Sequence, residues 1–149
     1  MVLCFCVMEF RGLSVFWSGH ASVRVEDKGF TVAVDPFSEV GCDFSADIVL
    51  ITHEDVGHFD EEALEKVRNG RTVFVCPESL NLPFRDVENL ESDGVIDVYG
   101  VEIEAVPMYN SDHAKGEGLG YRFSMGDTSF YVAGDTGLID EMRDLERRV

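Results

Sequence analysis

The stretch that most constrains this chain is an apolar, β-branched run that ends in a polar knot. Ile48-Val49-Leu50-Ile51 has the composition of a buried strand. It passes directly into Thr52-His53-Glu54-Asp55-Val56-Gly57-His58-Phe59-Asp60. Asp60-Glu61-Glu62 then opens a helical pattern, with acids where the positive end of a helix favours them. His53, Asp55 and His58 are therefore expected on a short loop between the C-terminal end of a strand and the start of a helix. In α/β proteins that edge is where ligands bind. Two of the chain's four histidines fall in this loop, and imidazole with carboxylate is a donor set that zinc, iron and manganese accept. The plainer reading is a solvated strand-to-helix loop.

Composition narrows the classes. A length of 149 residues suits one domain, spanning 1–149, with a modest core. A hydrophobic content of 45% indicates a folded chain. The net charge of −17 disfavours nucleic-acid binding through a basic patch and disfavours anionic membranes. No apolar run approaches the ~20 residues of a membrane span. Residues 1–7 are apolar but lack a basic region, so they do not read as a signal peptide. Met8 is instead a candidate natural start. Cys4, Cys6, Cys42 and Cys76 show no paired metal-clip spacing and read as reduced thiols of a cytoplasmic protein.

The rest of the chain alternates short strands with turns. Leu13–Trp17, Ala21–Glu26 and Phe30–Val34 form a β-meander, closed by Asp27-Lys28-Gly29 and stopped at Asp35-Pro36. Asp47–Ile51, a helix over Glu61–Val67 with Ala63, Leu64 and Val67 on one face, and Thr72–Cys76 make a parallel βαβ unit. From Glu78 to Asp93 the pattern is weak, and Leu80, Leu82 and Leu90 are assigned to small helical turns. Gly94–Val106 is a hairpin, Gly120–Met125 with Thr128–Val132 is another, and Leu138–Arg147 is helical.

Four motifs in chain order carry a resemblance. His53-Glu54-Asp55-Val56-Gly57-His58 is similar to the His-x-His-x-Asp-His signature of the metallo-β-lactamase superfamily. Trp17-Ser18-Gly19-His20-Ala21-Ser22 with Asp35-Pro36 resembles the N-terminal segment of its ascorbate-6-phosphate lactonase-like, metal-dependent hydrolase branch. Val106-Pro107-Met108-Tyr109-Asn110 with His113 and Gly118-Leu119-Gly120-Tyr121, and then Tyr131-Val132-Ala133-Gly134-Asp135-Thr136, resemble two later segments of the same branch. Taken singly, His20 and Asp35 could be turn residues, His113 a solvated loop histidine, and Gly134-Asp135-Thr136 an ordinary turn. The resemblance implies an αββα sandwich of α/β class (α+β by some schemes), of which this chain is largely the N-terminal half. It also implies a two-metal hydrolytic site.

Carried over residue by residue, the resemblance implies metal ligands at His53, Asp55, His58, His113 and Asp135. Asp135 bridges, and Asp35 and His20 support the ligands from behind. Two positions depart from the signature: Asp55 replaces a histidine and Gly57 replaces an aspartate. Asp55 could ligate the first metal, swing toward the second, or act as a base. Asp55 and His58 are the candidate proton carriers. The expected cofactor is one or two divalent ions, zinc first, with manganese or iron as alternatives. The expected activity is hydrolysis of a small-molecule ester, lactone or phosphoester. The competing reading is a degenerate, non-catalytic binding or metal-sensing module. With the later strands of that fold missing, an uncovered apolar sheet face and a homo-oligomer are also expected.

Overall fold

The computed structural model describes residues 6–145. A large mixed sheet runs in chain order: β1 (Cys6–Phe10), β2 (Leu13–Gly19), β3 (Ser22–Asp27), β4 (Phe30–Val34), β5 (Ile48–Leu50), β6 (Val73–Pro77) and β7 (Val87–Leu90). Its first strands are antiparallel, and β4 to β7 are parallel. A smaller antiparallel sheet holds β8 (Val95–Val98), β9 (Val101–Met108), β10 (Gly118–Met125) and β11 (Thr128–Val132).

The two sheets pack face to face. Val25, Val32, Val34, Ile48, Leu50 and Val75 from one meet Ile103, Ala105, Leu119, Tyr121 and Phe123 from the other. The other face of the large sheet buries Val49, Ile51, Phe74 and Cys76 against helix α1 (Glu61–Val67), whose Ala63, Leu64 and Val67 are the buried face. β5 is thus covered on both sides, which explains why its sequence is continuously apolar rather than alternating.

Three elements differ from the sequence expectation. β1 pairs along β2 from Cys6↔Trp17 to Phe10↔Leu13, so residues 6 and 7 belong to the sheet. Val87–Leu90 is a parallel strand on β6, while Leu80 and Leu82 do pack on the sheet. The C-terminal helix α2 starts at Met142 rather than Leu138, is described over Met142–Leu145 with none of those residues buried, and the last two residues of the expected helix, 146 and 147, lie outside the described residues. The outer face of the small sheet also differs. Alternation along β9 and β10 places Glu102, Glu104, Arg122 and Ser124 there, with Arg122 ion-paired to Glu104 at 3.3 Å. Val95, paired with Glu104, and Tyr131, paired with Arg122, share that face, so it is mixed rather than the apolar one expected.

Asp60 fixes where α1 begins. Its Oδ1 accepts the Ala63 N–H at 3.1 Å, and its Oδ2 accepts the Ser38 N–H at 2.8 Å and hydroxyl at 2.6 Å. Burial pushes the carboxyl pKa up, but these donors outweigh it and hold the group below its ordinary value. Asp60→Ala is expected to lower stability by about 1–2 kcal/mol in urea denaturation near neutral pH. Because the folded pKa is depressed, this contribution is present above the ordinary carboxylate range and is lost as the pH falls through the folded value. The gap between wild type and variant should close in acid.

Cys42 and Cys76 are buried, and burial is the main cause that raises each thiol to about 11. In a Cys4→Ser/Cys6→Ser chain, a disulfide reagent should titrate no thiol until denaturant is added. Rapid native reaction would contradict the packing described here.

Candidate metal centre

The site forms where β4 and β5 end. The parallel ladder continues past both strands, with the Asp35 N–H donating to Leu50 O and the Ile51 N–H to Val75 O. Thr52 follows, fully buried, and its carbonyl accepts the Leu119 N–H at 2.9 Å. Tyr121, also fully buried, donates its hydroxyl to Ile51 O at 2.8 Å. The small sheet thereby clamps the last residues of the strand that carries His53.

Asp35 organises the histidines. It sits in the left-handed region at φ 43° and is 1% exposed. Its Oδ1 accepts the Thr52 N–H at 2.8 Å; its Oδ2 accepts the Thr52 hydroxyl at 2.6 Å and His58 Nδ1–H at 2.8 Å. With its proton given to Asp35, the Thr52 oxygen is left to accept Nδ1–H of His53, at 2.9 Å. Both rings therefore carry their proton on Nδ1 and present a lone pair at Nε2, the form in which imidazole binds a metal.

The Nε2 atoms converge on carboxylates. His58 Nε2 lies 3.2 Å from Asp135 Oδ1. His53 Nε2 lies 3.8 Å from Asp135 Oδ2 and 3.9 Å from Asp55 Oδ2. His113 Nε2 lies 3.4 Å from the same Asp55 oxygen. Two groups result, His53–His58–Asp135 and His53–Asp55–His113, each with ligand atoms within 4.8 Å of one another. His53 belongs to both. Donors around a tetrahedral cation with bonds of about 2.1 Å stand about 3.4 Å apart, so the spacing fits a metal. The clearest sign is His53 Nε2: it is buried and has no hydrogen-bond partner among the described residues. An orphaned, buried lone pair facing two carboxylates is costly in a resting core and natural in a ligand.

The histidines differ electrostatically. Burial lowers the pKa of His53, and the neighbouring His58 lowers it further against the pull of Asp35, Asp135 and Asp55. For His58, burial also acts downward, but the hydrogen bond and charge of Asp35, then the charges of Asp135 and Asp55, outweigh it and leave the pKa raised.

Backbone geometry delivers the remaining residues. Asn110 Oδ1 accepts the His113 N–H at 2.9 Å, and its amide donates to the Asp135 carbonyl, tying the two loops together. Gly134, at φ 60°, has no room for a side chain: a Cβ there would stand 2.7 Å from Met108 Sδ and 3.2 Å from Thr52 Cβ. The structure thus brings together His53, Asp55, His58, His113 and Asp135, with Asp35 behind them. His20 stands edge-on to His58, ring centroids 6.3 Å apart, and belongs to neither group. Thr52 and Asn110 stand in the quoted stretches but were given no role from sequence. The usable signal for Thr52 was its hydroxyl at the end of an apolar strand. An open cleft of ≈ 570 Å³ leads to the centre, bordered by Glu54, Asp55, Ser79, Asp112, His113 and Glu117.

Fold and site together define the class. Residues 14–147 match the beta-lactamase superfamily domain, and the chain belongs to that family. It is 32% identical over 150 residues to a metal-dependent hydrolase of Methanopyrus kandleri, covering 88% of this chain and 65% of that one. A metal-dependent hydrolase of Methanoculleus marisnigri is 31% identical, with 88% and 63% covered. The chain spans about two thirds of the length of these curated relatives. A solved structure from Parabacteroides distasonis, described as a metal-dependent hydrolase, superposes with TM-score 0.84 at 27% identity, covering 96% of this chain and 71% of that one. The metallo-β-lactamase Rm3 shares the fold, with TM-score 0.55 at 14% identity over 82% of this chain and 58% of that one. The chain therefore has the metallo-β-lactamase-type α/β sandwich.

Proposed function

We propose that this chain is a metal-dependent hydrolase acting on a small-molecule ester, lactone or phosphoester. The observation that carries the reading is the buried, unpartnered Nε2 of His53 between Asp55 and Asp135. His53, Asp55 and His113 would hold one divalent cation, and His58 and Asp135 would serve the second position, with His53 within reach of both groups. Mixed imidazole and carboxylate donors suit zinc, with manganese or iron as alternatives. When bound, such ions lower the pKa of a water and polarise the oxygen of the scissile bond.

The chain's own residues supply the rest. Asp35 and Thr52 keep both Nε2 lone pairs turned toward the centre. His58 is 8% exposed in its side chain and engages Asp35 and Asp135 through its two nitrogens, which makes it a fixed ligand. Asp55 is 52% exposed at the cleft, which places it better to take a proton from an attacking water and pass it to a leaving group. One observation favours a metal-sensing module without turnover: the two groups share His53, so the chain does not supply each with three ligands of its own.

Elemental analysis of the untagged protein, followed by an ester, lactone and phosphoester panel with loaded and chelated protein, tests both readings. Bound metal with chelator-sensitive hydrolysis is expected. Metal without turnover on any class would select the sensor, and no metal after supplementation would remove both. Self-association belongs to the same reading. Val7, Met8, Phe10 and Trp17 are exposed on β1 and β2, and sedimentation should show a dimer that Met8→Glu weakens. A wild-type monomer would end that part.

A further inference from the structure

Gly57 lies in the loop between His53 and His58 and contributes no ligand atom, yet the space beside it is filled. A Cβ placed on Gly57 would stand 2.3 Å from Cε1, 2.7 Å from Nδ1 and 3.0 Å from Nε2 of His20. The imidazole of His20 thus occupies the volume in which a side chain of residue 57 would begin. Gly57 is at φ 97°, a conformation that suits glycine, and it is buried although its loop neighbours Asp55 and Val56 are exposed. Any larger residue at 57 and the observed His20 ring exclude each other.

The backbone that carries His20 is shaped for this placement. The pairing of β2 with β3 shifts register between Trp17 and Gly19, a bulge of the kind that re-aims a side chain near a site. His20 itself is left-handed at φ 54°, which a residue with a Cβ tolerates at a cost. Its carbonyl is held by Trp17 Nε1–H at 2.9 Å. Its ring leans on Phe37 at 5.2 Å and stands edge-on to His58 at 6.3 Å. Neither ring nitrogen has a hydrogen-bond partner among the described residues, and the residue is exposed, so no hydrogen bond commits its ring nitrogens. A bulge, a left-handed residue and a glycine clearance all serve to bring one uncommitted imidazole beside His58.

We propose that His20, admitted by the absent side chain of Gly57, is the third protein ligand of the His58–Asp135 half of the centre. The assignment rests on the metal-centre reading above and goes beyond it. That half has only His58 and Asp135 besides the shared His53, and the ligand it lacks comes from the β2–β3 turn instead of its own loop.

The test is metal stoichiometry and affinity rather than turnover. Wild-type protein, His20→Gly and Gly57→Ala are loaded with cobalt(II), desalted, and read by elemental analysis and by the visible cobalt spectrum. Glycine accepts the left-handed turn at position 20 without strain, so His20→Gly removes the ring and keeps the backbone. Gly57→Ala leaves the imidazole intact but evicts it from its place. Wild type should hold about two ions, and each variant about one, with the weaker ion bound at least about 100-fold less tightly. A wild-type chain that holds one ion, or a His20→Gly chain that holds two with unchanged affinity, overturns the assignment while leaving a metal centre at His53. A wild-type chain that holds none overturns both. Thermal unfolding of each metal-free variant checks that the fold persists.

Discussion

A His53→Ala chain is expected to lose the ion held with Asp55 and His113, to lose hydrolysis with it, and to remain folded. Both candidate ligand groups contain His53, so one substitution takes a ligand atom from each. Stability of the metal-free chain should fall by less than in an ordinary core truncation. His53 is 2% exposed and its Nε2 has no partner among the described residues, so the metal-free fold carries the cost of a buried unsatisfied group, about 1–3 kcal/mol. Removing the ring relieves that cost while opening a cavity, and the two offset in part. The distinction appears on adding metal. At a hundredfold excess over its dissociation constant a ligand stabilises the native state by about 2.7 kcal/mol. For a domain of this size that raises Tm by roughly 5–10 °C. Wild type should show the larger rise. An equal rise in both chains would place the metal elsewhere.

The sequence was most legible where burial imposes a simple period. β5 reads as a continuous apolar run because both faces are covered, and α1 spans Glu61–Val67 as its pattern indicated, since Asp60 caps it and Ala63, Leu64 and Val67 face one way. The hairpins β8–β9 and β10–β11 follow alternation and glycine turns. β7 was hidden because Val87-Glu88-Asn89-Leu90 has weak strand propensity and depends on pairing with β6. α2 starts later than its charged, helix-suited sequence indicated, and within the described residues it has no buried face to stabilise a longer run. At the site, the residues that present ligand atoms were visible as a motif. What aims them was not. Thr52 passes a hydrogen bond from Asp35 to His53, Asn110 joins the His113 and Asp135 loops, and the His20 ring fills the space beside Gly57. Each of these joins segments far apart in the chain, and no local pattern encodes such a contact.

Asp35→Asn should have the second largest effect, although Asp35 touches no substrate. Its carboxylate is an acceptor three times over, from the Thr52 N–H, the Thr52 hydroxyl and His58 Nδ1–H. An amide offers one oxygen and one NH2. If the NH2 takes the Oδ1 position, it faces the Thr52 N–H, donor against donor. If it takes the Oδ2 position, it faces His58 and forces the proton of that ring onto Nε2, removing the lone pair aimed at Asp135. The Thr52 hydroxyl must also turn, which disturbs its bond to His53. Either outcome leaves a buried donor unmatched, so the metal-free protein should lose about 1–3 kcal/mol. Metal affinity should fall about 10–100-fold, as for other partners that orient a ligating histidine. The loss also has a pH signature. In wild type the folded pKa of His58 is raised, so the ion pair with Asp35 stabilises the fold fully below the unfolded value of about 6.5 and is lost as the pH climbs through the folded value. Without the carboxylate, burial lowers the pKa of His58 against only the charges of Asp135 and Asp55, so the raised pKa falls and the slope flattens. Urea denaturation of the chelated proteins should therefore show the widest gap between wild type and Asp35→Asn on the acid side of His58's titration, narrowing toward alkaline pH. A gap independent of pH would mean that Asp35 acts through Thr52 alone.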